Sequence, residues 1–276
     1  MFELPEFIIL ANQINQSMTG KKIQTGTLGN SPHKFVWYNR SPEEFSELVS
    51  GKSIGTASVQ GRWMSVQILP GYVLILGECG GKMLYHPPGS KLPPKYHLYL
   101  KFDDQSFFTE TTQMWGAMEL YRIGEEQQRE YIKDMRLTPL EDDFTLEYFN
   151  HLVDSIIAEG KKSVKGLLTQ DQLIPGLGNA IAQDIMFNSG LHPRHDLANL
   201  DEEQRTLLHE KIVSTVHEVI NGGGRNDEFD LYHQRGGYTR KMDRNAVGNP
   251  CPNCGTSVEK IQYLGGACYF CPDCQV

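Results

Sequence analysis

From Phe35 to Phe108 the apolar residues recur at every second position: Phe35 and Trp37, then Val66 and Ile68, then Leu98, Leu100 and Phe102. Turn signals fall at Pro70-Gly71 and Asp103-Asp104, so this stretch reads as a β-rich domain. Ahead of it, Glu3 to Gln16 places Ile8, Ile9, Leu10, Ala11 and Ile14 at helical spacing. Pro5 fits that helix because it falls in the first turn, where a missing N–H breaks no bond. After a charged stretch from Gly124 to Asp143, the period becomes 3.6 and Leu146, Phe149, Val153, Ile156 and Ile157 share one helical face. A longer helix opens on Asp201 and Gln204 in capping-box spacing, carries Leu208, Ile212, Val216 and Val219, and stops at Gly222-Gly223-Gly224. The predicted order is helix, β-domain, linker, helical domain, glycine-rich loop and a cysteine-bearing end. There is no internal repeat and no low-complexity tract.

A chain of 276 residues has room for two domains and an appendage. Hydrophobic content of 39% and charged content of 22% are those of a globular protein, and no apolar run reaches the ~18 residues of a membrane helix. With no basic-then-apolar leader, a cytoplasmic protein without membrane contact is expected. The net charge of -8 argues against a broadly basic nucleic-acid binder, so any such role must rest on local geometry.

The end of the chain carries Cys251-Pro-Asn-Cys254 and Cys271-Pro-Asp-Cys274, two C-x-x-C pairs with sixteen residues between them. Each pair can aim two thiolates at one point, and four sulfurs complete a tetrahedral site with no position left for water. The expected cofactor is therefore one structural zinc ion. Two disulfides are the alternative, disfavoured by the low cysteine count. Cys79 and Cys268 lie outside the pattern and are expected to be packed free thiols.

In the helical half, Gln172-Leu-Ile-Pro-Gly176-Leu-Gly178-Asn179 precedes a helical run from Ala180 to Phe187. Asn179, with Gly178 before it, sits where free N–H groups of a first helical turn can cradle an anion. The same residues also fit an ordinary tight turn between packed helices.

Taken together, Met1-Phe2-Glu3-Leu4-Pro5-Glu6, the β-domain, Pro175-Gly-Leu-Gly-Asn179 and the four-cysteine end resemble the formamidopyrimidine-DNA glycosylase and endonuclease VIII family of base-excision repair enzymes. The resemblance spans essentially the whole chain. It implies an α+β protein with an N-terminal β-sandwich and leading helix (residues 1–125), a linker (126–143), a helix-two-turn-helix domain with a glycine-rich lid (144–244) and a zinc finger or ribbon (245–276). It also implies a monomer that acts on damaged double-stranded DNA held between sheet and helices, in the cytoplasm or nucleoid of a prokaryote. The lesion base is flipped out, because its glycosidic bond cannot be reached inside the stack. The family's nucleophile is an N-terminal amine, normally on proline, which forms a Schiff base with the sugar. A following glutamate moves protons there, and β-elimination cuts the strand.

Here Phe2 stands in place of that proline, and methionine is expected to stay ahead of so large a side chain. An amide nitrogen at Phe2 has no available lone pair, and the free amine is displaced to Met1, by up to ~3.6 Å along the chain. Either the Met1 amine is brought in, or the chemistry is lost and the protein is a non-catalytic damage or abasic-site binder. Glu3 stays in register as acid/base, held anionic at an early helical position, and Glu6 matches the family's second glutamate. Arg62 falls where the family has a phosphate-binding lysine. Cys79, Gln113 and Trp115 fall where it fills the void left by the flipped base, and Gly266 where its finger arginine stands. Lys161, Lys162 and Lys165, with Arg225, Arg235, Arg240, Lys241 and Arg244, are candidates for a local basic strip, and Gly222 to Tyr238 occupies the place of the lesion-capping loop.

Overall fold

The computed structural model describes residues 1–133, 135–160 and 162–276, and they form two compact units. The first comprises Met1–Met135 and Gly222–Gly237; the second comprises Arg136–Asn221 and Tyr238–Val276.

In chain order the first unit runs α1 (Leu4–Ser17), β1 (Ile23–Leu28), β2 (Val36–Tyr38), α2 (Pro42–Val49), β3 (Ser53–Gln60), β4 (Trp63–Leu69), β5 (Tyr72–Gly77), β6 (Gly81–His86), β7 (Leu98–Phe102), β8 (Phe107–Thr112), β9 (Gly116–Arg122) and α3 (Glu130–Lys133). The strands make a five-stranded sheet, β2-β9-β5-β4-β3, and a four-stranded sheet, β1-β7-β8-β6. All pairings are antiparallel except β2 with β9. The predicted turns at Pro70-Gly71 and Asp103-Asp104 join β4 to β5 and β7 to β8. Both sheets feed one core: Met64, Val66, Leu74 and Met118 from the first meet Met83, Leu98, Leu100 and Phe102 from the second. Alternation places these residues on one face of each strand, and full burial of each side chain contributes about 1.5–3 kcal/mol. The apolar period does not predict strand β1, because Gln24, Thr25 and Gly26 interrupt it.

The leading helix seals this core with Phe7, Leu10, Ala11 and Ile14. It begins at Leu4 rather than Glu3: Glu3 is the N-cap with extended backbone (φ -114°, ψ 179°), and its N–H donates to Glu6 Oε2 at 3.0 Å. The correction matters because it turns Glu3 off the helix surface and across its end.

The second unit contains α4 (Leu146–Glu159), α5 (Val164–Thr169), α6 (Asn179–Asn188), α7 (Glu202–Asn221) and the hairpin β10 (Glu259–Tyr263) with β11 (Gly266–Phe270). Thr145 caps α4 through the Tyr148 N–H, and Phe149, Leu152, Val153 and Ile156 form its buried stripe. The capping box before α7 is reciprocal, Asp201 N to Gln204 Oε1 at 3.1 Å and Gln204 N to Asp201 Oδ1 at 2.8 Å. Helix α6 is buried continuously from Ile181 to Phe187, polar Gln183 and Asp184 included. Those two side chains therefore need internal partners. Gln183 Oε1 accepts the Tyr269 N–H, and the Asp184 carboxylate accepts the Tyr238 hydroxyl and the Lys241 and Met242 N–H groups. No helix among the described residues is long and apolar enough to cross a membrane.

Candidate functional site

Phe2 is fully buried in the first unit's core, edge-on to Phe7 with ring centroids 5.8 Å apart. Its N–H donates to the Cys79 carbonyl at 3.0 Å. The side chain that replaces proline thus anchors the N-terminus as a core residue, and its amide is committed. The same strand end holds the exposed 113–115 loop: Gly80 N donates to Trp115 O at 3.2 Å and Gln113 N to Gly80 O at 2.5 Å. Cys79 and Gly80 therefore bridge the N-terminus to that loop.

The Met1 α-amine donates to Glu228 Oε1 at 3.0 Å. It borders a pocket of about 140 Å³ whose other walls include Gly80, Lys82, Gln113, Glu228 and Phe229. That volume holds roughly four to five waters. Arg225 organises the carboxylates beside it. Its Nε and Nη2 bond Glu6 at 2.8 and 2.9 Å, Nη2 also reaches the Met1 carbonyl at 2.8 Å, and Nη1 lies 3.9 Å from Glu3. Glu3, Glu6 and Arg225 are all buried. Burial alone would raise the Glu6 pKa, but the charge and hydrogen bonds of Arg225 hold it below the ordinary carboxylate value. Burial likewise opposes the charge on Arg225, and Glu6 and Glu3 outweigh it and raise its pKa.

Arg225 and Glu228 reach this place on the glycine-rich segment. Gly223 and Gly224 have φ of 72° and 97°, in the left-handed region, and Gly237 N closes the segment's base on Gly222 O at 2.7 Å. Sequence reading does not single out Glu228 and sets Arg225 in a local basic strip; Arg225 is instead the counter-ion for two buried carboxylates. The i, i+3 pair Glu3 and Glu6 signals the need for a cation, but nothing local says which one arrives. The other proposed strip members divide between the units. Arg235 lies in the first, over the Phe229 ring, whereas Arg240, Lys241 and Arg244 lie in the second with Lys162 and Lys165. Lys161 lies outside the described residues.

Arg62 pairs with Glu78 at 3.2 Å and donates to Met1 Sδ at 3.6 Å. Cys79 is fully buried with its thiol on the Gly77 carbonyl, and burial pushes its pKa up. Gln113 and Trp115 are exposed.

In the second unit Gly178 caps α6 and Asn179 is its first helical residue, exposed at the helix start. Asn179 Nδ2 donates to Ala267 O at 3.2 Å, and the buried Lys165 ammonium donates to Tyr263 O at 2.6 Å and Gly266 O at 3.3 Å. A side chain at Gly266 would start 3.3 Å from Asn179 Oδ1 and 3.4 Å from Lys165 Nζ. Helix start, lysine and hairpin turn thus converge on one spot. The four cysteine sulfurs of Cys251, Cys254, Cys271 and Cys274 lie within 4.8 Å of one another, with Cys251–Cys274 at 3.8 Å and Cys254–Cys271 at 3.4 Å. A tetrahedral ion with sulfur at about 2.3 Å has edges of about 3.8 Å, so the set fits a metal, and the separations are too long for disulfides. Cys79 and Cys268 are buried free thiols.

Residues 1–118 match the formamidopyrimidine-DNA glycosylase N-terminal domain, and residues 135–229 match the formamidopyrimidine-DNA glycosylase H2TH domain. The chain is 25% identical over 279 residues to the formamidopyrimidine-DNA glycosylase of Bacillus anthracis, with 100% of this chain and 99% of that one covered. It is 26% identical over 286 residues to that of Shouchella clausii, with the same coverage. Among solved structures, Lactococcus lactis Fpg in complex with DNA containing an abasic site superposes with a TM-score of 0.82 at 24% identity, and MutM in complex with DNA containing carbocyclic 8-oxo-G with 0.83 at 23%, each over 99% of both chains. A β-sandwich with a leading helix, a helix-two-turn-helix unit and a four-cysteine end define the formamidopyrimidine-DNA glycosylase class of DNA-repair folds. The chain belongs to the formamidopyrimidine-DNA glycosylase family, as a divergent member with Phe2 in place of the N-terminal proline.

Proposed function

We propose that the protein binds damaged double-stranded DNA and excises an oxidised or otherwise damaged base, with the Met1 α-amine as nucleophile. The observation that carries this reading is the pairing of a locked Phe2 amide with a Met1 amine set on a carboxylate beside a pocket of about 140 Å³. In its neutral form the amine adds to the sugar's anomeric carbon; the base leaves with the glycosidic electron pair and takes up a proton. Glu228 is proposed to accept the ammonium proton, and Glu3 to take up a proton and deliver it to the ring oxygen as the sugar opens to an imine. Loss of a C2′ proton then expels the 3′ phosphate. Arg225 keeps Glu3 and Glu6 oriented.

Asn179, Gly178, Lys165 and Arg62 are the proposed backbone contacts, and Gln113 and Trp115 the groups that enter the duplex. Cys251, Cys254, Cys271 and Cys274 would hold one structural zinc ion, which keeps the hairpin folded and takes no part in the reaction. The protein is proposed to act as a monomer in the cytoplasm, at the nucleoid.

The test is borohydride trapping on abasic-site duplex with intact-mass analysis. The expected result is one adduct on the Met1 peptide, lost in Glu3→Gln. A second reading, an inert damage binder, is favoured by one observation: Glu3 is only 4% exposed beneath Arg225. It requires tight, salt-sensitive binding of abasic-analogue duplex over intact duplex, with no adduct formed.

A further inference from the structure

The chain's three tryptophans, Trp37, Trp63 and Trp115, all line one pocket of about 600 Å³ in the first unit, a volume usual for a small-molecule site. It lies on the outer face of the five-stranded sheet, opposite the main core. Strand register builds it: Trp37, Ala117, Gly77 and Trp63 are consecutive partners across β2, β9, β5 and β4. The two middle members are the smallest side chains available, so a low floor separates two indoles whose Cα atoms stand three strand spacings apart, roughly 14 Å. Gly77 must be glycine, because a Cβ there would lie 1.8 Å from the Trp63 ring.

Further along the same face, Val73, Ile75 and Ala117 are covered by Ile132 of α3. Trp63 is buried in the same cluster, whereas Trp37 and Trp115 remain 44% and 39% exposed. They stack at 5.2 Å with an interplanar angle of 14°, and Phe35 backs Trp115 at 4.5 Å. Opposite them, the Arg129 guanidinium lies 3.8 Å over the Trp63 ring. A flat aromatic group is what such walls accept. Stacking on exposed indoles is how proteins hold unpaired bases, independently of their sequence.

The polar lining narrows the ligand. It includes Glu78, Glu119 and Arg129. Arg129 is engaged with Glu119 at 2.5 and 3.2 Å and Arg62 with Glu78 at 3.2 Å, so both guanidiniums are committed and disfavour a phosphate, whereas the carboxylates keep lone pairs for N–H donors. Glu78 has φ of 53°, a left-handed conformation that a non-glycine residue holds only where its surroundings impose it. We propose that this pocket is a receptor for a single purine base of guanine type, stacked on the Trp37–Trp115 wall with its two adjacent N–H donors on the Glu78 carboxylate. The site goes beyond the excision chemistry, although it shares Trp115 with the proposed duplex contact.

Tryptophan fluorescence reads the pocket directly, because every tryptophan is in it. The full-length protein is titrated with deoxyguanosine, thymidine and a short thymidine oligonucleotide carrying one guanine, and calorimetry repeats each titration. Saturable quenching by deoxyguanosine, at least tenfold weaker for thymidine, is expected. Trp37→Ala should weaken it about tenfold or more, the loss of one base–aromatic stack, with Trp37→Phe restoring most of it. Glu78→Gln should lower the preference for deoxyguanosine over deoxyadenosine, which keeps the test open if Trp37→Ala fails to fold. Binding of the oligonucleotide alone, with the same dependence on Trp37 and Glu78, also supports the site and assigns its base to a DNA strand. No saturable response from either source, or a response unchanged in Trp37→Ala and Glu78→Gln, overturns it. Borohydride trapping run on the same Trp37→Ala sample separates this result from failure of the proposed excision.

Discussion

Phe2 and Arg225 show how one substitution changes what its neighbours must do. A proline at the second position would have its nitrogen free once methionine was removed; Phe2 spends its N–H on Cys79 and its ring on the core. Arg225 neutralises Glu3 and Glu6 in a place where an unpaired carboxylate would be costly. Arg225→Ala is expected to destabilise the first unit by about 3–5 kcal/mol in urea denaturation. Replacing Arg225 and Glu6 together by methionine should recover only part of that loss, because Glu3 is then left buried without its cation. Glu110 is a second buried carboxyl. Thr112 Oγ1 donates to its Oε1, Oε2 has no partner, and burial pushes its pKa from 4.5 up to about 8. Between these values the folded chain keeps a proton that the unfolded chain has released, so stability falls as pH rises through that window and levels off above it. The slope is at most about 1.4 kcal/mol per pH unit. Glu110→Gln should flatten it and raise the melting temperature at pH 8, as thermal melts from pH 5 to 9 would report.

The leading helix, the glycine-rich segment and the hairpin are the elements that place the chemistry. Glu3 as N-cap points across the end of α1, where the Gly222–Gly237 segment delivers Arg225 and Glu228. In the second unit, the start of α6 and Lys165 of α5 both hydrogen-bond carbonyls of the β10–β11 hairpin and its turn, so the hairpin's fold and the proposed phosphate contact are coupled. Removing the metal with a chelator should release one zinc per chain, monitored with a chromogenic dye. It should also raise amide exchange across Glu259–Phe270 and in the first turn of α6, while exchange in β4 and β5 stays unchanged. Equal loss of protection in β4 and β5 would contradict the division into units.

For the whole molecule, a net charge of -8 sets the scale of the electrostatics. Lys165 already holds carbonyls and Arg62 holds Glu78, so the phosphate contacts proposed for them compete with existing partners. Log affinity for abasic-analogue duplex against log salt is expected to have a slope no steeper than about -4, some four phosphate contacts. Fluorescence anisotropy between low and moderate salt would measure it. Much of this architecture was legible in the chain. Alternating residues from Phe35 to Phe108 mark strands, the 3.6 period after Asp143 marks helices, and two C-x-x-C pairs mark a metal site, because period and ligand spacing are local properties of a sequence. Strand β1 escaped because Gly26 and its polar neighbours weaken the period, although Gly26 leaves the space that Val49 and Phe45 fill. Which cation meets Glu3 and Glu6, where the Met1 amine comes to rest, and the gathering of three tryptophans into one pocket were decided only by tertiary structure. Those partners lie between twenty-six and more than two hundred residues apart along the chain. No local pattern encodes contacts that arise from strand register and chain return.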